Sequence, residues 1–148
     1  ALRKIDMPSV LFFLGILLAV GVLNETGQLV QLSTFLKDSL GNVYAINMAI
    51  GLLSAIIDNV PLVAASMGMY EVSPAIAGDA WADLFVQDGT FWHFLAYTAG
   101  TGGSILIIGS AAGVAVMGIE KISFTWYLRN IAPWALLGYL AGCVAYII

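Results

Sequence analysis

Charged residues are scarce in this chain of 148 residues: they make up 9% of it, whereas 61% of its residues are hydrophobic. About a quarter of a soluble domain is charged, so this composition argues against a soluble enzyme and a disordered tail. Basic residues are fewer still, with five Lys and Arg against nine Asp and Glu, which leaves no basic surface for DNA or RNA. The single cysteine, Cys143, excludes a disulfide within the chain. We therefore expect an integral membrane protein, in contact with a lipid bilayer and without a nucleic-acid partner.

Long apolar runs predict membrane-crossing helices, because about 20 apolar residues span the core of a bilayer as an α-helix. We predict a first span over 8–23, a second apolar region over 91–118 and a last span over 131–148. Two connecting stretches have apolar or aromatic residues beside polar ones, which is typical of chain that lies along a membrane surface. They predict an interfacial helix over 28–41 and an interfacial segment over 119–130.

The apolar stretch 42–70 is interrupted near its middle by Asp58-Asn59-Val60-Pro61. A proline disfavours helical backbone in the residue before it, and the arms on either side are each too short to cross a bilayer. We therefore predict a re-entrant hairpin, which enters the membrane and leaves it on the same side. One continuous span over the same residues is the alternative.

The positions of the basic residues favour the hairpin, because Lys and Arg concentrate on the cytoplasmic side of membrane proteins. Arg3 and Lys4 place the start of the first span in the cytoplasm. The hairpin then leaves 71–90, an acidic loop without Lys or Arg, outside, and returns Lys121 and Arg129 to the cytoplasm. The carboxy terminus lies outside in this topology.

Asp58 is the one acidic or basic residue in the interior of an apolar region. A carboxylate within a membrane is costly, and it therefore indicates a function. With the amide oxygen of Asn59, it offers the oxygen ligands that hard cations prefer, so both residues are candidate ligands of a sodium ion. A carboxylate that holds either a proton or a cation can exchange one for the other. The alternative is that Asp58 only caps a helix.

Glycines cluster near the middle of 91–118, in Gly100-Thr101-Gly102-Gly103-Ser104 and again in Gly109-Ser110. Unwound backbone at the membrane midplane coordinates ions in many secondary transporters, so this cluster predicts a broken helix that lines an ion site. Close helix packing is the alternative, since Gly109 and Gly113 have the G-x-x-x-G spacing. Further candidate site residues are Thr98, Ser110 and Pro61.

These motifs resemble those of the NhaD-type sodium/proton antiporters. The resemblance covers nearly the whole chain, and the turn Asp-Asn-Val-Pro together with the Gly-Gly-Ser break carries most of it. The matching segments are 12–23 (FFLGILLAVGVL), 54–65, 100–104, 108–113, 126–129 and 138–142.

The resemblance implies an all-α polytopic membrane protein of the ion transporter superfamily, whose fold consists of two inverted repeats. This chain would be the carboxy-terminal repeat, with three membrane-crossing segments, one of them broken, and one re-entrant helical hairpin. The amino-terminal repeat of the same carrier would complete the ion site, and the carrier would be a homodimer. Asp58 and Asn59 would be the pair at the hairpin tip, while Thr101, Gly102, Gly103 and Ser104 would line the broken helix.

The function that the resemblance implies is secondary active transport, the exchange of sodium, with lithium as a second cation, for protons across the bacterial inner membrane. We expect no enzyme activity, no catalytic residues and no cofactor besides the transported sodium ion and proton. One alternative is a carrier of dicarboxylates, citrate or arsenite from the same superfamily, although Asp58 would repel an anion. The others are a non-transporting membrane subunit and an intramembrane hydrolase that uses His93 with Ser104 or Ser110, which needs a sharp fold-back because a straight helix separates His93 and Ser104 by about 16 Å.

Overall fold

The structure, a computed structural model, describes residues 7–73 and 79–148, and in these residues it contains only helices and irregular turns. The predicted all-α class is confirmed. Two predicted features lie outside the described residues: the basic pair Arg3 and Lys4, and the part of the acidic loop at 74–78. The helices of the described residues are α1 (Met7–Glu25), α2 (Gln28–Leu40), α3 (Val43–Leu53), α4 (Asn59–Met69), α5 (Thr90–Gly102), α6 (Ala111–Ile119), α7 (Phe124–Asn130) and α8 (Ala132–Ile147), with short 3₁₀ helices at Ala82–Phe85 and Ile107–Gly109.

The boundaries of the early helices follow from capping residues and glycines. Gly27, between α1 and α2, and Gly41, at the end of α2, have φ angles of 73° and 60°, which an L side chain rarely adopts. The N–H group of Gly41 donates to the Lys37 carbonyl at 2.8 Å and so satisfies one of the last acceptors of α2. Asn42 then begins α3, because its side-chain oxygen accepts from the Tyr44 N–H group at 2.8 Å.

The stretch predicted as a hairpin, 42–70, consists of α3, an irregular turn over 54–58, and α4. The stretch predicted as a broken span, 91–118, consists of α5, a non-α-helical segment over 103–110, and α6. In both stretches the interruption coincides with the polar or glycine-rich residues that predicted it. The two stretches that are predicted to share an ion site are therefore each interrupted near the middle.

Helix α5 lies at the centre of the packing, against α3, α4 and α8. Its longest contact is with α3, where apolar residues of both helices interdigitate, and α4 packs mainly against α1. The two helices on either side of the turn therefore have different main partners, α5 for α3 and α1 for α4. The large apolar residues with less than 2% exposure on α3 and α5 are Ile46, Ile50, Phe91 and Phe94.

Much of the outer surface is apolar, above all on α1, α6 and α8. Leu17 and Leu18 on α1 are each 62% exposed, and Trp134 on α8 is 72% exposed. A continuous apolar surface of this kind marks contact with lipid or with other protein rather than with water.

In residues 7–73 and 79–148, no single helix combines the length and apolar character needed to cross a membrane. Two pairs of consecutive helices do so together: Val10–Glu25 with Gln28–Leu40, bent by 73°, and Phe124–Asn130 with Ala132–Ile147, bent by 50°. The spans predicted over 8–23 and 131–148 therefore correspond to one member of each bent pair. The number of membrane-crossing segments stays a prediction.

Candidate functional site

The turn between α3 and α4 lies directly against the break between α5 and α6. The buried hydroxyl of Ser54 donates to the Ala99 carbonyl at 2.7 Å and joins the turn to α5. A Cβ atom added to Gly102 would overlap the Gly51 carbonyl group, and one added to Gly109 would overlap the carbonyl oxygen of Ser54. The two backbones therefore touch without a side chain between them, and we call this contact, formed by Gly51, Ser54, Gly102 and Gly109, the turn–break seam.

Asp58 caps the first turn of α4, as the capping alternative predicts. Its Oδ1 atom accepts from the Val60 N–H group at 3.1 Å, and the side chain is half-buried. A carboxylate has acceptor capacity beyond one such bond, so the cap leaves oxygen lone pairs for a second partner. In the described part of the chain, no three His, Cys, Asp or Glu side chains gather into a metal-binding cluster. A cation near Asp58 would thus depend on amide, hydroxyl and carbonyl oxygens for its other ligands.

Asn59 lines a cavity of about 370 Å³ between α4 and α5, together with Ala99 and Gly100. This cavity brings one member of the predicted hairpin-tip pair beside the residues that precede the helix break. Apart from Asn59, it is lined by small or apolar residues, which include Val60, Val63, Ala64, Met67 and Ala96.

Gly103, Ser104 and Ser110 line a second cavity of about 290 Å³, and Tyr127 of α7 lines it as well. The Ser110 hydroxyl oxygen accepts from the Gly113 N–H group at 3.0 Å and caps α6. The Ser104 carbonyl oxygen accepts from the Tyr127 hydroxyl at 2.7 Å. Within the described residues, the predicted site residues are therefore divided between two cavities, with Asn59 in the first and the three small residues in the second.

The remaining predicted residues are engaged with their own helices. The Thr101 hydroxyl donates to the Tyr97 carbonyl at 2.7 Å, and the fully buried Thr98 hydroxyl donates to the Leu95 carbonyl at 3.3 Å. Pro61 lies in the first turn of α4, where its missing N–H group costs no helical hydrogen bond. Neither threonine hydroxyl donates toward a cavity in this conformation, although both oxygens keep acceptor capacity.

Three residues of this region, Gly51, Ser54 and Tyr127, are not among the site residues that the sequence predicts. Each acts through a contact with a residue far away in sequence: Ser54 and Ala99 are 45 positions apart, and Tyr127 and Ser104 are 23 apart. A lone glycine in an apolar helix and a tyrosine in an aromatic stretch carry no local signal of such contacts. In the sequence, only the glycine cluster at 100–104 indicates the region of the fold that these three residues contact.

Comparison with known proteins finds two kinds of similarity, to a family model and to individual relatives. A family model described as citrate transporter matches residues 1–86. Sodium/proton antiporters 1 and 2 of Arabidopsis thaliana are 51% and 47% identical to this chain over 99% of its length, and the Na(+)/H(+) antiporter NhaD of Halomonas elongata is 34% identical over 99%. The chain spans 24%, 33% and 27% of these three relatives, about a quarter to a third of their length. No solved structure matches it.

Proposed function

This chain belongs to the family whose model is described as citrate transporter, and from its named relatives we propose that it is part of a membrane carrier that exchanges sodium ions for protons. Its resemblance to the NhaD-type antiporters of the ion transporter superfamily is confirmed by its similarity to proteins of that name. The observation that carries the proposal is the 51% identity, over 99% of this chain, to a protein named sodium/proton antiporter. These relatives are named as transporters and not as enzymes.

The proposed ion site lies between the N-terminal end of α4 and the break that follows α5. Asp58 and Asn59 contribute a carboxylate and an amide oxygen, and the two lie together at the start of α4. The turn–break seam supports this assignment, because it brings Ser54, in the turn before α4, against Gly109 in the break. In the proposal, sodium and a proton compete for Asp58, and the rest of the carrier supplies ligands that this chain lacks.

The proposed ligands from the break are the Thr101 hydroxyl, the Ser104 hydroxyl and the carbonyl groups around Gly102 and Gly103. Gly103 and Ser104 are supported by the non-α-helical segment 103–110, whose peptide groups are outside regular helical hydrogen bonding, and Thr101 and Gly102 directly precede that segment at the end of α5. Asn59 lines one cavity while Gly103 and Ser104 line another, so a shared site needs either a movement of the break or oxygen ligands from elsewhere in the carrier.

The proposed membrane arrangement is the one the sequence predicts: α3 and α4 form a re-entrant hairpin, and the chain is one of two inverted repeats of a homodimeric carrier. The exposed apolar surfaces of α1 and α8 support contact with lipid. Relatives come from a plant as well as from bacteria, so the bacterial inner membrane stays a prediction, as does transport of lithium.

A second candidate function is the transport of citrate or another organic anion. The description of the matching family model favours it. The carboxylate of Asp58 disfavours it, because a negative charge at the site would repel an anionic substrate. The negative charge of Asp58 would therefore favour the binding of sodium and disfavour the binding of citrate.

Transport by the complete carrier in proteoliposomes tests both candidates. Vesicles with an acidic interior and a pH-sensitive dye receive sodium chloride or, in a parallel sample, citrate as its potassium salt. Sodium exchange predicts that sodium releases internal protons and that citrate has no effect. Citrate uptake without a sodium response would replace the first candidate by the second.

The variant Asp58→Asn separates the charge of this residue from its capping role, because asparagine caps helices as well as aspartate does. We expect it to abolish sodium-dependent proton release while the carrier stays folded. Asp79→Asn is the matched control, since the Asp79 carboxylate also caps a helical turn, by accepting from the Trp81 N–H group at 3.0 Å. Normal exchange by Asp58→Asn would remove Asp58 from the mechanism.

A further inference from the structure

Tyr127 on α7 reaches the middle of the break between α5 and α6. Its hydroxyl donates to the Ser104 carbonyl oxygen at 2.7 Å, a short bond across 23 residues of sequence. Tyr127 is half-buried and lines the second cavity beside Gly103, Ser104 and Ser110. Helix α7 also packs against the 3₁₀ helix Ile107–Gly109 within the same break.

The hydrogen bonds within the break itself join residues that are close in sequence. The Ser104 N–H group donates to the Thr101 carbonyl at 3.0 Å, and the Ile105 N–H group donates to the Gly102 carbonyl at 3.0 Å. Bonds between residues three positions apart shape a turn, but they do not fix where the turn lies relative to other helices. The Tyr127 hydroxyl does so, because it belongs to a different helix.

We propose that Tyr127 is a positioning residue for ion exchange: its hydroxyl holds the Ser104 carbonyl and thereby keeps the unwound segment 103–106 in place. The carbonyl groups of Gly102 and Gly103, the adjoining ligands of the proposed site, then keep their positions before an ion arrives. This inference rests on the proposed function. Tyr127 itself does not touch the ion.

The variant Tyr127→Phe removes the hydroxyl and keeps the ring. We expect the sodium concentration that gives half-maximal exchange to rise about twofold to tenfold, the range for loss of one hydrogen bond, because the ligands are no longer held in advance. The maximal rate should change by less than about twofold, since the ligands themselves remain. A general loss of folded carrier would instead lower the maximal rate at an unchanged half-maximal concentration, and that result would overturn the inference.

Tyr146→Phe is the matched control. The Tyr146 hydroxyl donates to the Thr90 carbonyl at 3.3 Å, so it also ties a later helix to α5, but at the end of α5 that is remote from the break. We expect its sodium dependence to equal that of the unmodified carrier. An equal shift in both tyrosine variants would contradict a specific role for Tyr127.

A second measurement does not depend on transport. Ile108, which is 43% exposed in the break, is replaced by cysteine, and the rate of its modification by a maleimide is compared with and without Tyr127→Phe. The native Cys143 is buried and provides the background. We expect faster labelling without the hydroxyl; an unchanged rate overturns the inference whatever the transport result. If the unmodified carrier exchanges no sodium, the proposed function fails, while the labelling still decides whether Tyr127 holds the break.

Discussion

At the scale of a single residue, the substitution Gly102→Ala tests whether the two backbones touch at the turn–break seam. Alanine at Gly102 would drive its Cβ atom into the Gly51 carbonyl group, which is backbone and cannot rotate away. Alanine at Gly100, half a turn earlier on α5, would have no atom within 4 Å of its Cβ. The same substitution, glycine to alanine, therefore meets backbone atoms at position 102 and open space at position 100.

We expect Gly102→Ala to destabilise the carrier by about 1–3 kcal/mol, as overpacked sites do, and to lower its thermal midpoint in detergent by several degrees. Gly100→Ala should be neutral or stabilise by up to about 1 kcal/mol, because alanine restricts the unfolded chain. The midpoints can be compared by the fluorescence of the tryptophans. Equal midpoints for the two variants would mean that the backbones of α3 and α5 do not touch.

Single residues also show how far the sequence leads toward the site. Asp58 and the glycines at 102 and 103 are visible as a lone charge and as breaks in apolar runs, and the structure has a turn and a helix end at these positions. Gly51 is not visible in this way, because one glycine among apolar residues is ordinary. Its role becomes clear only from the Gly102 backbone that approaches it from 51 positions away.

Two buried serines allow a test at the scale of helices. The Ser54 hydroxyl crosses from the turn to the Ala99 carbonyl of α5 at 2.7 Å, whereas the Ser66 hydroxyl donates to the Leu62 carbonyl of its own helix at 2.9 Å. Both side chains have 0% exposure. The main difference is therefore that the Ser54 hydrogen bond joins the turn to α5, whereas the Ser66 hydrogen bond lies within α4.

Replacing Ser54 by alanine should cost about 1–2 kcal/mol, because it removes the bond and leaves a buried carbonyl with one partner fewer. Ser66→Ala should cost clearly less, since the helix supplies the Leu62 carbonyl with a backbone partner of its own. Denaturant or thermal unfolding of both variants in the same detergent measures the difference. A larger loss in Ser66→Ala would show that the Ser54 bond does not hold the turn against α5.

The helices were more predictable than their arrangement. The structure has helices at Gln28–Leu40 and Ala132–Ile147, within the stretches 28–41 and 131–148, whose places at the membrane surface and across the membrane stay predictions. Glycine and asparagine mark the junction of α2 and α3 in the sequence itself. By contrast, the Tyr139 hydroxyl donates to the Met48 carbonyl at 2.8 Å across 91 positions, and no local pattern of hydrophobicity encodes such a bond.

At the scale of the whole chain, the proposed ion site would be incomplete. Asn59 lines one cavity, Gly103, Ser104 and Ser110 line another, and the chain spans only about a quarter to a third of the relatives compared with it. In the proposal, the break and the half-buried Asp58 carboxylate would provide some ligands, but a sodium ion needs a closed shell of oxygens. Such a shell would require surfaces beyond this chain, which also agrees with the extensive apolar exposure of α1 and α8.

The path of the chain through the membrane is the remaining question at this scale. Three exposed positions mark the ends of these stretches: Ser39 in the last turn of α2, Gln87 before α5 and Glu120 after α6. A re-entrant hairpin returns the chain to the side from which it entered, so positions 39 and 87 share one side and position 120 lies on the other. A continuous span over 42–70 instead puts position 87 alone on one side, opposite positions 39 and 120.

Single substitutions Ser39→Cys, Gln87→Cys and Glu120→Cys in the complete carrier distinguish these topologies. We expect a membrane-impermeant maleimide to label the first two variants in intact cells and the third only after the membrane is opened. The carrier without a new cysteine gives the background, which should be low from this chain because Cys143 is buried. If positions 39 and 120 react together and position 87 does not, α3 and α4 form one span, and Asp58 lies partway across the membrane rather than at the tip of a hairpin.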